Sequence, residues 1–183
     1  MKNIKGFEGR EREARNIFCH NGFCYELIPE YGKFPAGFDY TMYSGGYCDA
    51  DDNLYLFSRD TDRPIVVLDA EGRYVRDFGK GLFKEVHSLC VTPNNTLLCT
   101  DTALHVVREL SIEGELIRDF GNLGVPSDSG YEKDVWRRMM REGKIVATDL
   151  AFDKGWSFWM SIQTIKRAAP PFNRPTGVAV GPQ

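Results

Sequence analysis

Three histidines, five cysteines and one arginine in a polar turn are the residues whose types could support chemistry in this chain. His87 stands in "VHSL", His105 in "TDTALH" and His20 in "CHNGFC". A neutral imidazole nitrogen binds a divalent metal and leaves room for other ligands, but it also serves as an ordinary hydrogen-bonding group. Taken alone, His87 and His105 read as hydrogen-bonding residues. The "CHNGFC" spacing fits no zinc signature, so Cys19, His20 and Cys24 are expected to be solvent-facing or packing residues. An odd number of cysteines without a Cys-x-x-Cys pair predicts no disulfide framework, and Cys48, Cys90 and Cys99 sit at apolar, strand-like positions that suit buried thiols. Arg59, in "FSRD", offers a planar fork for a carboxylate or an oxyanion; its plain alternative is a turn arginine paired with Asp60 or Asp62. Asp101 reads as a turn or inter-strand hydrogen-bonding residue. No serine–histidine or paired-carboxylate arrangement stands out.

The elements that must position these residues are written twice. "EGRYVRDFG" from Glu71 recurs as "EGELIRDFG" from Glu113, 42 positions later (113 minus 71). Neighbouring positions hold that register, with Cys48 on Cys90, Asn53 on Asn95, Leu56 on Leu98 and Arg59 on Asp101. A third copy begins where "PTGVAVGP" (Pro175–Pro182) matches "VHSLCVTP" (Val86–Pro93) at an offset of 89. Each complete copy predicts four short strands separated by Asp/Asn/Gly turns: Tyr47–Cys48, Leu54–Ser58, Ile65–Leu68 and Tyr74–Phe78, then Leu89–Val91, Leu97–Thr100, Val106–Leu110 and Leu116–Phe120. Four strands at a period in the low forties describe a propeller blade, so the expected fold is all-β: a partial, open propeller of four-stranded antiparallel blades with a helical insertion.

The insertion accounts for the longer offset. Ser129 precedes Glu132 at capping-box spacing, Val135, Trp136, Met139 and Met140 follow at helical intervals, and Gly143 can end the helix. A second helical segment, Trp156–Lys166, carries Trp159, Ile162 and Ile165 on one stripe before Pro170 and Pro171. The plain expectation is an insertion packed on the outside or rim of a blade, and the sharper one is a lid over a central site. The expected organisation is an N-terminal segment over 1–44 that can supply an outer or closure strand, two blades over 45–124, the insertion over 125–171 and the truncated start of a third blade over 172–183.

A net charge of −3 with mixed signs argues against a nucleic-acid partner, and no apolar run reaches membrane-spanning length. The N-terminal "MKNIKGFEGREREARNIF" is too charged for a signal peptide, so a cytoplasmic setting is expected.

The ordered combination of "FSRD", "VHSL", "TDTALH" and "FNRPTGVAV" resembles NHL-repeat propellers of the bacterial type related to peptidyl-α-hydroxyglycine α-amidating lyase, over Gly45 to the C-terminus apart from the insertion. The resemblance implies a six-bladed propeller that splits the carbinolamide N–C bond of a peptide ending in α-hydroxyglycine, giving peptide amide and glyoxylate. It implies zinc held by three channel histidines, of which His87 matches the first, an active-site arginine at Arg59, and a calcium ion bound by backbone carbonyls at Gly46 and Leu89. The family's catalytic tyrosine and its other two zinc histidines lie farther along than this chain extends, so it reads as the N-terminal portion of such a lyase, inactive by itself. The expected partner is a small-molecule or peptide substrate in the channel, with self-association through open blade edges. Two alternatives stand beside this reading: a non-catalytic NHL propeller that binds proteins, and a metal-dependent lactonase-like hydrolase, whose acidic ligands are not located in the sequence.

Overall fold

The structure is a computed structural model and describes residues 17–39, 42–146 and 154–181. The charged N-terminal stretch up to Asn16 lies outside them. Among the described residues the chain is mostly β, with antiparallel sheets and two helices. β1 (Ile17–His20) and β2 (Phe23–Glu26) form a hairpin. β3 (Tyr43–Cys48), β4 (Leu54–Ser58), β5 (Ile65–Leu68) and β6 (Tyr74–Phe78) form one four-stranded meander. β7 (Val86–Val91), β8 (Thr96–Asp101), β9 (Val106–Ser111) and β10 (Leu116–Gly121) form a second with the same order.

One turn design joins both outer pairs and both inner pairs of strands. At Asp49, Asp69, Thr92 and Ser111 the backbone N–H bonds the carbonyl four residues on, while the carbonyl accepts from the residue three on. The residue that closes each turn has positive φ: Asp52 (61°), Gly72 (77°), Asn95 (58°) and Gly114 (101°). Only Gly, Asn and Asp take that conformation at low cost, which is why these residue types recur there. The side chains of Asp49 and Asp69 then accept from the freed N–H groups of their own turns.

The ladders correct the repeat register. Leu54 faces Cys48 as Leu97 faces Val91, an offset of 43, whereas Leu68 faces Tyr74 as Leu110 faces Leu116, an offset of 42. The connection between β4 and β5 is one residue longer than that between β8 and β9. Before it, the structural partner of Cys48 is therefore Val91 rather than Cys90, and that of Arg59 is Thr102 rather than Asp101. The conserved geometry agrees: Arg59 N–H donates to Met42 O (2.9 Å) as Thr102 N–H donates to Glu85 O (2.9 Å).

The first strand of each meander is also longer than its sequence suggests. "YSGG" has poor strand propensity, but β3 lies beside β7, and a Cβ on Gly45 would already stand 3.5 Å from His87 O and Ser88 Cα. Backbone proximity at a glycine overrides propensity here. Between the sheets, Phe57, Ile65 and Val67 pack with Val86, Leu89, Leu97, Cys99 and Leu110, and Phe83 meets Phe57 edge to face at 5.0 Å. Burial of such side chains contributes about 1.5–3 kcal/mol each before entropy is counted. The sheets also interlock at the turn of β9–β10, where Arg76 donates to Ile112 O (2.6 Å) and Gly114 lies against the Phe78 ring.

The N-terminal segment touches the first sheet in an equivalent way. Tyr31 donates to Ala70 O (2.7 Å), Gly72 lies against Tyr31, and Lys33 bridges Arg73 in parallel beside β6. The β1–β2 hairpin contradicts the expectation for "CHNGFC": Cys19 and Cys24 are paired across it as a disulfide. Asn21 and Gly22, both at positive φ, make the two-residue turn that places them opposite one another. Cys90 and Cys99 are buried as expected, but Cys48, at the end of β3, is exposed.

α1 (Val135–Arg141) and α2 (Lys154–Ile162) form the insertion, with 147–153 outside the described residues. The capping box is not formed. Asp134 is the N-cap, and Glu132 is held by Arg138, while its N–H donates to Thr164 Oγ1 (2.7 Å). Gly143 does end α1: its N–H bonds Met140 O and the Lys144 N–H bonds Met139 O, satisfying the last carbonyls. The expected strand at 175–180 has no ladder partner; residues 176–181 belong to no helix or strand.

Two outcomes check this architecture. Gly114→Ala combines a forbidden φ with a Cβ 2.5 Å from the Phe78 ring and is expected to cost about 2–4 kcal/mol, whereas Gly124→Ala, with open space around it, costs ~1 kcal/mol; urea midpoints measure both. Thiol labelling without reductant is expected to modify Cys48 alone in the native protein, three thiols after denaturation, and five only after reduction.

Candidate functional site

His87 lies where the β7 ladder is broken. Register shifts between Val86 and Leu89, and the Thr100 hydroxyl fills the gap, accepting from Ser88 N–H (2.8 Å) and donating to Ser88 O (3.1 Å). A bulge of this kind re-aims a side chain at a sheet's rim. The equivalent break in β3 falls at Ser44, whose hydroxyl donates to Phe57 O (3.2 Å). The fold therefore places no demand for an imidazole at this position.

The approach to β7 is fixed by Asp101, which is fully buried. Its carboxylate accepts from Lys84 N–H (2.6 Å), Glu85 N–H (3.2 Å), Ala103 N–H (2.9 Å) and Leu104 N–H (2.9 Å). This is the structural role expected of it, made stronger by burial: each N–H left unpaired would cost about 1–3 kcal/mol. Glu85, so held, takes Arg174 through both carboxylate oxygens at 3.1 Å. His105, at φ 59°, accepts from Arg174 N–H through Nδ1 at 3.1 Å. Burial and the Arg174 charge hold its imidazole below the usual histidine range, against a smaller opposing pull from Asp101.

These anchors draw the insertion over the same end of the sheets. Asn173 donates to Ser127 O (3.0 Å) and Ser129 Oγ (3.1 Å), and Lys166 N–H donates to Ser129 O (2.9 Å). The result is a cavity of about 440 Å³. Arg59, Glu85, His87 and Thr102 form its sheet side; Ser129, Tyr131, Phe158, Ile162 and Ile165 form the insertion side; Asn173, Arg174 and Thr176 complete it. Two sequence-predicted residues, Arg59 and His87, thus come from successive repeats to one cavity. The expected pairing of Arg59 is not seen: Asp60 is bonded to Arg63 and Asp62 to Lys80, and Arg59 has no ion pair among the described residues.

The apolar stripe of α2 differs from the expected one. Phe158, Ile162 and Ile165 face the cavity, while Trp159 is exposed outside it. Tyr131 was missed because the residues near it read only as a helix start; burial raises its phenol, which stays a neutral hydrogen-bond donor.

A second cavity, about 670 Å³, brings together Gly46–Cys48, Leu89–Val91 and Val178–Val180. These are equivalent triplets in the three repeats, at offsets of 43 and 89. Gly46 and Leu89 therefore share a cavity, but carbonyls alone do not make a calcium site. Among the described residues no three of His, Cys, Asp and Glu cluster as metal ligands, so His87 is one donor without its companions and the residues do not fit a complete zinc site. His20 stands on the hairpin and Cys48 lines the second cavity; neither lines His87's cavity. Among the described residues no helix is long and apolar enough to cross a membrane.

Compared with known proteins, the chain matches no family model and no curated protein.

The depressed His105 gives a signed pH dependence. Below about 6.5 the unfolded chain takes up a proton that the folded imidazole resists, so stability is lost as pH falls through that value toward the folded pKa. The melting temperature of the wild type is expected to fall more between pH 7.5 and 5.5 than that of His105→Asn, and parallel curves would show that this imidazole does not titrate with folding.

Proposed function

We propose that the two meanders and the segment after Asn173 are consecutive blades of a β-propeller similar to the amidating lyases, and that the cavity holding Arg59 and His87 binds an N-acyl amino-acid carboxylate. The blade reading is supported by the three equivalent triplets that converge on one cavity, as first strands do around a propeller axis. Two such sheets alone do not close a ring. Self-association through the outer edge of β10 belongs to the same reading.

The functional reading rests on one observation: an arginine without an ion pair among the described residues and a histidine unexplained by the fold reach the same cavity from different repeats. Arg59 can hold a carboxylate through two parallel N–H donors. Tyr131 supplies a neutral donor to a second oxygen, and a ligand that covers the apolar side of the cavity would strengthen both contacts by displacing water. In the lyase reaction the carbinol proton must leave, the C–N bond must break and the amide nitrogen must gain a proton; the residues described here orient the carboxylate for that step. Zinc and calcium, implied by the resemblance, enter no step, because the described residues do not complete either site.

N-benzoylglycine, which presents the acyl-glycine carboxylate without the reactive hydroxyl, tests the reading by calorimetry. Saturable binding is expected, with at least tenfold loss in Arg59→Ala and for the neutral N-benzoylglycinamide. Absence of saturation, or equal affinity for acid and amide, refutes it.

A further inference from the structure

We infer that the α2 side of this cavity is an apolar specificity wall that selects ligands with a hydrophobic group next to their anionic end, an inference that rests on the reading of Arg59 given above. An insertion helix normally turns its apolar stripe to the body of the protein and its polar residues to solvent. α2 does otherwise. It meets α1 through Ser161, which is buried against Val135, with the Val135 N–H 3.5 Å from Ser161 Oγ. Phe158 and Ile162, spaced i and i+4 on the helix, and Ile165 in the turn just past its end are left facing the cavity, and all three remain substantially exposed. Large apolar side chains gain nothing from facing an empty polar wall, so a ligand group that covers them is the natural complement.

Charge fixes the other end of that ligand. Of the two arginines that reach the cavity, Arg174 is neutralised by Glu85, whereas Arg59 has no ion pair among the described residues. Among the described residues, one cation without an ion pair stands opposite an apolar wall in a volume of about 440 Å³, which suits a small monoanion with an apolar body. Each methylene covered by the wall should raise affinity about fourfold.

The test holds the anionic head constant and lengthens the tail, titrating the chain with N-acetylglycine, N-butanoylglycine and N-hexanoylglycine. Affinity is expected to rise at least tenfold from acetyl to hexanoyl in the wild type. The double variant Phe158→Ala, Ile162→Ala should flatten the series to less than threefold, and Arg59→Ala should weaken all members by a similar factor while keeping the slope. If the double variant does not fold, Ile165→Ser, outside the helix and half exposed, is read in the same way. A flat series in the wild type that Arg59→Ala still weakens overturns the wall and leaves the carboxylate reading standing. A steep series that Arg59→Ala leaves unchanged overturns the carboxylate reading and this inference with it, and an equally steep series in the wall variants overturns the wall alone.

Discussion

The buried carboxylate of Asp101 is the contact on which the site geometry depends. It gathers backbone N–H groups from both sides of the chain, Lys84 and Glu85 before β7 and Ala103 and Leu104 after β8. An isolated charge in such a place would be costly; four donors replace the water it has lost. The consequence is positional. With Glu85 fixed, Arg174 has a defined partner, the segment after the insertion is held against the second sheet, and the insertion must return over the rim where His87 emerges. The equivalent residue of the first sheet is Ser58, whose hydroxyl accepts from Asp60 N–H (3.0 Å). Arg59 stands beside it without an ion pair among the described residues.

Much of this fold was legible because its turns leave chemical marks. The residues that close the four repeated turns are Asp, Gly, Asn and Gly, and strands β4, β5 and β6 have the boundaries that these turns and the alternating apolar residues define. What escaped was any feature set by a single residue of length. The match of "RDFG" to itself imposed one offset on the whole repeat, while the β4–β5 connection shifts the first half of each copy by one. That slip aligned Cys48 with the buried Cys90, whereas the ladders pair it with Val91. In a ladder, a one-residue shift exchanges the two faces, and the expectation that Cys48 is buried, made from its apolar, strand-like position, took no account of the face it lies on.

The site was legible in part for the same reason. Arg59 and His87 sit next to repeated strands, so their approximate place followed from the repeat. Tyr131, Phe158 and Ile165 belong to the insertion, which has no second copy against which to measure it. Periodicity there gave two helices, but the side that faces the cavity was set by tertiary contacts: Ser161 against Val135, and the bonds of Ser129 to Asn173 and Lys166. The same contacts displaced the capping box, since Ser129 and Glu132 were already engaged with Asn173, Thr164 and Arg138. The Cys19–Cys24 pair was hidden by an argument from number, although the Asn-Gly turn between the two cysteines carried the signal for a hairpin that sets them opposite one another.

Repetition also provides an internal control on function. Ser44, His87 and Thr176 are equivalent by the repeat offsets, and in the two sheets the bulge tolerates serine and histidine alike because its gap is filled by hydroxyl contacts from the chain itself. Packing cannot explain an imidazole where a serine serves the neighbouring copy. The same comparison gives Asp101 the opposite meaning: it differs from Ser58, but every one of its contacts is to backbone, so its chemistry is spent on holding the loops. Two polar residues one strand apart thus separate by what they touch. Asp101 is consumed by the fold, and His87 is turned toward a cavity that the fold alone does not require.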